Sequence, residues 1–75
     1  MNIMVFGQLT DITKGSAISI EKANDTEALL EMLYHHYPLL KQKEFLIAVD
    51  KRIVNGKSEI NDNAQIALLP PFSGG

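Results

Sequence analysis

Apolar side chains keep a helical period over one main stretch of this 75-residue chain. Leu29, Met32, Leu33 and either His36 or Tyr37 stand at i, i+3, i+4 and i+7 or i+8, the stripe of a helix laid on a sheet. Asn24 supplies an N-cap, and Glu27 three residues on has capping-box spacing. Pro38 disfavours the α region for Tyr37, so the helix is predicted to end near His36 after about three turns.

The remaining apolar residues form short runs of strand length. In 3–6, Ile3 and Val5 fall on one face and Met4 and Phe6 on the other, predicting a strand buried on both sides and broken by Gly7. After a polar stretch, 16–21 alternates polar with apolar, as a half-exposed strand does, and is placed to form a hairpin with the first. Residues 45–49, Phe-Leu-Ile-Ala-Val, are the most apolar run and predict a central strand. Residues 50–52 turn the chain, Ile53-Val54 is a brief strand, and Asn55-Gly56 signals a tight type I′ turn, whose central positions need positive φ. Asn61-Asp62-Asn63 is a further turn cluster. The last strand, 65–69, is stopped by Pro70-Pro71, neither of which can donate to a ladder. This order predicts an α+β roll, one main helix on one face of a mixed sheet of about five strands.

With 45% hydrophobic and 21% charged residues the composition is that of a folded chain. A chain this short builds one core, giving a single domain over 1–75. There is no cysteine, which removes disulfides, thiolate ligands and a cysteine nucleophile together. The net charge of -2 argues against nucleic acid and for a protein partner. Phosphate-cradling loops of the G-x-x-x-x-G-K and G-x-G-x-x-G types are absent from the sequence, as is a G-x-S-x-G elbow, and no histidine is placed as a base for Ser73. His35 and His36 diverge by about 100° on a helix and do not converge on one ion, so no metal is expected. Lys41, Lys43, Lys51 and Arg52 offer charges to an acidic partner, although loop cations are more often simply solvated. The start has no basic residues before its apolar stretch, and no run approaches the roughly 20 apolar residues of a membrane span, so no membrane association and a cytoplasmic address are expected.

The most informative segment is the last. Pro70 and Pro71 favour a stiff polyproline exit, while Gly74 and Gly75 carry no side chain and suit a channel too narrow for any Cβ. The tail, 71–75, is expected to be flexible and, at about 3.3 Å per extended residue, to reach on the order of 17 Å. In an arbitrary chain two final glycines are usually only a frayed end. Here the whole ending, Ala67-Leu68-Leu69-Pro70-Pro71-Phe72-Ser73-Gly74-Gly75, resembles that of the small, sulphur-carrying subunit of molybdopterin synthase, a ubiquitin-like family. The resemblance extends through the strand-rich start, Tyr37-Pro38 and Ala48-Val49.

The resemblance implies a β-grasp fold with the first and last strands side by side and parallel. It implies a carrier whose Gly75 carboxylate is adenylated by an ATP-using activating enzyme, converted to a thiocarboxylate with the help of a sulphur donor protein, and inserted into the large subunit to sulphurate a pterin precursor. Gly75 would be the reacting residue, and Phe72, Ser73, Gly74 and Pro71 the partner-binding segment, in a heterotetramer with the large subunit. The chain would need no intrinsic cofactor and no catalytic side chain, contributing to a transferase complex only its terminal atom. The sequence departs from the family pattern at Asp50, where asparagine is usual, at Asp62-Asn63-Ala64-Gln65, which replaces the commoner Asp-Gly-Asp-Glu, and at Thr10-Asp11 after Leu9, where an arginine is frequent. Phe72 is bulkier than the frequent valine and is expected to anchor the tail. Two rivals remain: a thiazole-pathway sulphur carrier, which the Pro70-Pro71-Phe72 exit speaks against, and a ubiquitin-like modifier or interaction module.

Overall fold

A computed structural model describes residues 1–71. The main helix, α2 (Thr26–His36), begins one residue later than the sequence predicts, with Asp25 rather than Asn24 as its cap. The cause lies in a neighbouring segment. Asn24 O accepts from Ile60 N at 2.8 Å, Thr26 N donates to Ser58 O at 2.9 Å, and Asp25 bridges Glu59, which holds residues 24 and 25 outside the helix. Asp25 Oδ1 then accepts from Ala28 N at 2.8 Å. Glu27 is left one position short of capping-box spacing but lies in the first turn, where a carboxylate suits the helix dipole.

The far end of α2 is as predicted: Tyr37 leaves the helical region before Pro38, its amide still donating to Leu33 O at 2.7 Å. Leu29 and Leu33 are fully buried, Met32 and Tyr37 pack against the core, and His36 is exposed. The apolar stripe therefore closes on Tyr37. A 3-10 turn, Pro38–Gln42, follows and drives Leu40 into the core, a feature without periodic signature.

The strands are β1 (Asn2–Val5), β2 (Ala17–Ser19), β3 (Leu46–Val49), β4 (Arg52–Val54) and β5 (Ile66–Leu69). They form one sheet in the order β2-β1-β5-β3-β4. β1 is antiparallel to β2 and parallel to β5, and β3 is antiparallel to both β4 and β5. This is the mixed β-grasp sheet with one main helix that the resemblance implied. The middle place belongs to β5, with the apolar β3 beside it. Between β1 and β2 a 3-10 turn (Gly7–Leu9) and a short helix, α1 (Thr10–Thr13), give this stretch a structure that no apolar periodicity announces. Lys14 closes it at φ 63°.

Two further expectations are corrected. The type I′ turn is made by Asp50 and Lys51, at φ 51° and 69°, joining β3 to β4 through the pair Val49 and Arg52. Asp50 can hold this shape because aspartate tolerates the left-handed region better than most residues. Its amide donates to Gln65 O at 2.8 Å and its side chain accepts from Gln65 N at 2.9 Å, so the turn also fixes the approach to β5. Asn55-Gly56 lies after β4 in no hairpin, with only Gly56 at positive φ (72°). The second correction concerns β1, which is buried on one side only. Ile3 and Val5 face the helix, while Met4 is 57% and Phe6 41% exposed on the other face, which α2 does not cover.

Replacing Asp25 by alanine is expected to destabilise the fold by about 1 kcal/mol, the usual value of a lost N-cap. Asn24→Ala, which leaves the backbone bond to Ile60 in place, is expected to change stability far less. Denaturant unfolding of the two variants checks the reassigned cap.

Candidate functional site

The register of the sheet draws a line of side chains across its open face. Ala17 on β2 stands opposite Met4 on β1, Met4 beside Ala67 on β5, Ala67 opposite Ala48 on β3, and Ala48 opposite Ile53 on β4. The two alanines in the middle make a low floor, and Met4 and Ile53, the latter 42% exposed, rise on either side. The result is an apolar trough of about 360 Å³, lined also by Phe6 and Leu69. Lys51, in the β3–β4 turn, contributes a positive charge to its lining. Contiguous exposed apolar surface of this kind marks contact with another molecule. The sequence carried a signal for it, since one helix of eleven residues cannot cover both faces of five strands.

Leu69 connects this face to the chain exit. Phe6 N donates to Leu68 O at 3.0 Å at the end of the β1–β5 ladder. Pro70 then lies over Gly7, where an added Cβ would meet Pro70 Cγ at 2.9 Å. Gly7 also has φ +64°, so glycine is required twice, for backbone conformation and for close approach. Pro71 is exposed immediately beyond. The other residues assigned to the tail site, Phe72, Ser73, Gly74 and Gly75, lie outside the described residues.

Elsewhere the charged groups form surface contacts. Lys22 pairs with Asp62, and Lys57 approaches Asp25 at 3.9 Å. Lys41 stands over the Tyr34 ring at 5.8 Å. Lys43 and Lys57 share a groove of about 440 Å³ between α2 and β4 with Glu27 and Glu44, a mixed set of charges with no single sign to offer a ligand. The His36 ring N–H donates to Glu21 Oε1 at 2.8 Å. This hydrogen bond, with a backbone bond to Glu21 and the nearby histidine charges, holds the Glu21 carboxyl below the ordinary carboxylate range. Among the described residues no group of His, Cys, Asp and Glu is placed to hold a metal, and no buried side-chain polar atom lacks a partner. No helix among them is long and apolar enough to cross a membrane.

Two measurements check these features. Ala at Gly7 and Ala at Gly56 both meet a left-handed backbone, a penalty of about 1–2 kcal/mol, but Gly56 has nothing within 4 Å of the added carbon. Gly7→Ala is therefore expected to destabilise more than Gly56→Ala in denaturant melts, the difference reporting the contact with Pro70. For Glu21, a depressed folded value means that its small contribution is present above the ordinary carboxylate range and is lost as pH falls through the folded value. In His36→Gln the Glu21 carboxyl titration followed by NMR is expected to move up toward the ordinary value, and added salt to shrink the difference.

Comparison with known proteins agrees with this architecture. The chain superimposes on SAMP1 from Haloferax volcanii with a TM-score of 0.77 over 99% of this chain and 97% of that one, at 16% identity, which is a likeness of fold. It also superimposes on a chain from the complex of subunits 1 and 2 of molybdopterin-converting factor from Helicobacter pylori 26695, with a TM-score of 0.72 and 27% identity over 99% of this chain and 96% of that one. The model of the ThiS family matches residues 3–75. With its β-grasp sheet and its match over nearly the whole sequence, the chain belongs to the ThiS family of ubiquitin-like sulphur carriers.

Proposed function

We propose that this carrier is the small subunit of a molybdopterin synthase, delivering sulphur from the carboxyl group of Gly75 to a pterin precursor held by a large subunit. The observation that carries the reading is the continuity of the apolar trough with the chain exit at Pro70-Pro71. A partner seated on Met4, Ile53 and Leu69 would have the tail beside it, directed by a seat in the folded domain. The 27% identity to a chain of a two-subunit molybdopterin-converting factor supports a large subunit as that partner. Lys51 at the trough suits an acidic residue on the partner's rim.

The proposed chemistry needs nothing from the side chains of this protein. The Gly75 carboxylate attacks the α-phosphate of ATP on an activating enzyme and releases pyrophosphate. The acyl-adenylate, unlike the carboxylate, has a good leaving group, and sulphur supplied at the sulphide level by a donor protein displaces AMP, losing its proton, to leave a thiocarboxylate. That group is the nucleophile toward the precursor. Gly74 and Gly75 would thread a narrow channel, Ser73 and Pro71 would line its mouth, and Phe72 would fill an apolar pocket. The action is placed in the cytoplasm, where the ATP for activation is found.

The test is the intact mass of the protein after incubation with ATP, activating enzyme and sulphur donor. One terminal oxygen replaced by sulphur, located to Gly75 by fragmentation, is the expected result. Removal of Gly74 and Gly75 is expected to abolish it with the thermal midpoint unchanged, whereas Ile53→Asp is expected to weaken binding to the large subunit by about 2 kcal/mol or more, as loss of an interface anchor does. An unchanged mass with active partners would remove the carrier chemistry. A thiocarboxylate without affinity for a molybdopterin synthase large subunit would favour the thiazole pathway, and Gly75 amide-linked to a lysine would favour a protein modifier.

A further inference from the structure

We propose that Asn55 is a self-modification site: the backbone nitrogen of Gly56 attacks the Asn55 side chain, and the product loosens the clasp that holds residues 56–58 to the start of α2. The reaction needs a free, unhindered amide on the following residue and an asparagine able to swing onto it. Both residues are exposed. Gly56 has no side chain, nothing lies within 4 Å of the place its Cβ would occupy, and its N–H makes no hydrogen bond to the described residues. Outside the regular hydrogen bonding of helix and hairpin, residues 55 and 56 can take the conformation that attack requires.

The other asparagines lack this combination. Asn2 precedes β-branched Ile3 within β1. Asn63 precedes Ala64, whose amide donates to Asn61 O at 3.1 Å. Asn24 and Asn61 each precede an aspartate, whose side chain crowds the attacking nitrogen.

In the reaction the Gly56 nitrogen loses its proton and bonds to Cγ of Asn55. The Cγ–NH2 bond breaks, and the amine leaves as ammonia after gaining a proton. Water then opens the five-membered imide at either carbonyl, giving aspartate or isoaspartate, and the net change is amide plus water to carboxylate plus ammonium. Isoaspartate routes the main chain through the former side chain and adds one carbon to the backbone just before Gly56. The Gly56 carbonyl accepts from Thr26 Oγ1 at 3.0 Å, and Thr26 Oγ1 accepts in turn from Ser58 N at 2.9 Å. Thr26 is 2% exposed and sits in the first turn of α2, so a displaced Gly56 leaves a buried hydroxyl short of its acceptor.

The test is a time course of the intact, full-length protein at 37 °C in neutral and mildly alkaline buffer, read by peptide mapping with isoaspartate detection. Asn55 is expected to convert several-fold faster than Asn24, Asn61 or Asn63, and faster at the higher pH, because the attacking amide must be deprotonated. Conversion at the same rate as those sites would overturn the assignment. Anion exchange separates the product, which carries one more negative charge. Its thermal midpoint is expected to fall on the order of 4–8 °C, the effect of one lost hydrogen bond on a domain of this size. An unchanged midpoint for the isoaspartate form would overturn the role of the clasp. Asn55→Gln is expected to stop charge change at this position, and peptide mapping of the unsubstituted protein decides the matter even if that variant folds poorly.

Discussion

The parallel pairing of β1 with β5 governs the rest of the molecule. It places the last strand in the middle of the sheet, with β1 on one side and β3 on the other. Ile3, Val5, Ile66 and Leu68 then face the helix together and form the centre of the core. It also brings Leu69 and Pro70 out of the sheet interior beside Phe6 and Gly7. The chain exit is thus held by the same contacts that hold the fold.

Much of this was legible in the sequence because the signals were local. The stripe of Leu29, Met32 and Leu33 with Pro38 fixed the helix and its end, and the apolar runs fixed the strands. Three features were not local. The helix cap moved from Asn24 to Asp25 because residues 58–60, more than thirty positions away, take the backbone bonds of the preceding residues. The type I′ turn fell on Asp50-Lys51, which lacks a glycine, because the pairing of β3 with β4 sets its position, while the better local candidate Asn55-Gly56 lies past the end of β4. The open face was misread because Met4 and Phe6 look like core in an apolar run, although a single main helix can cover only one face of the sheet, and among the described residues no second layer covers the other.

The candidate site divides in the same way. The tail was read from the motif alone, and of its five residues only Pro71 falls among those the structure describes. The trough that leads to it depends on register, since Ala48 and Ala67 are far apart in sequence and neither stands out there. Small residues in a strand are usually a packing weakness; between Met4 and Ile53 they make a concave surface that a partner's side chain can fill.

The central position of β5 has a mechanical consequence. A pull on the exit is transmitted along a strand bonded on both sides, parallel on one and antiparallel on the other. The hydrogen bonds lie across the line of force and are loaded in shear, several at a time, where an edge strand pulled sideways would peel open one bond after another. A domain pulled from the exit of this strand is in this way protected against being unravelled from that end.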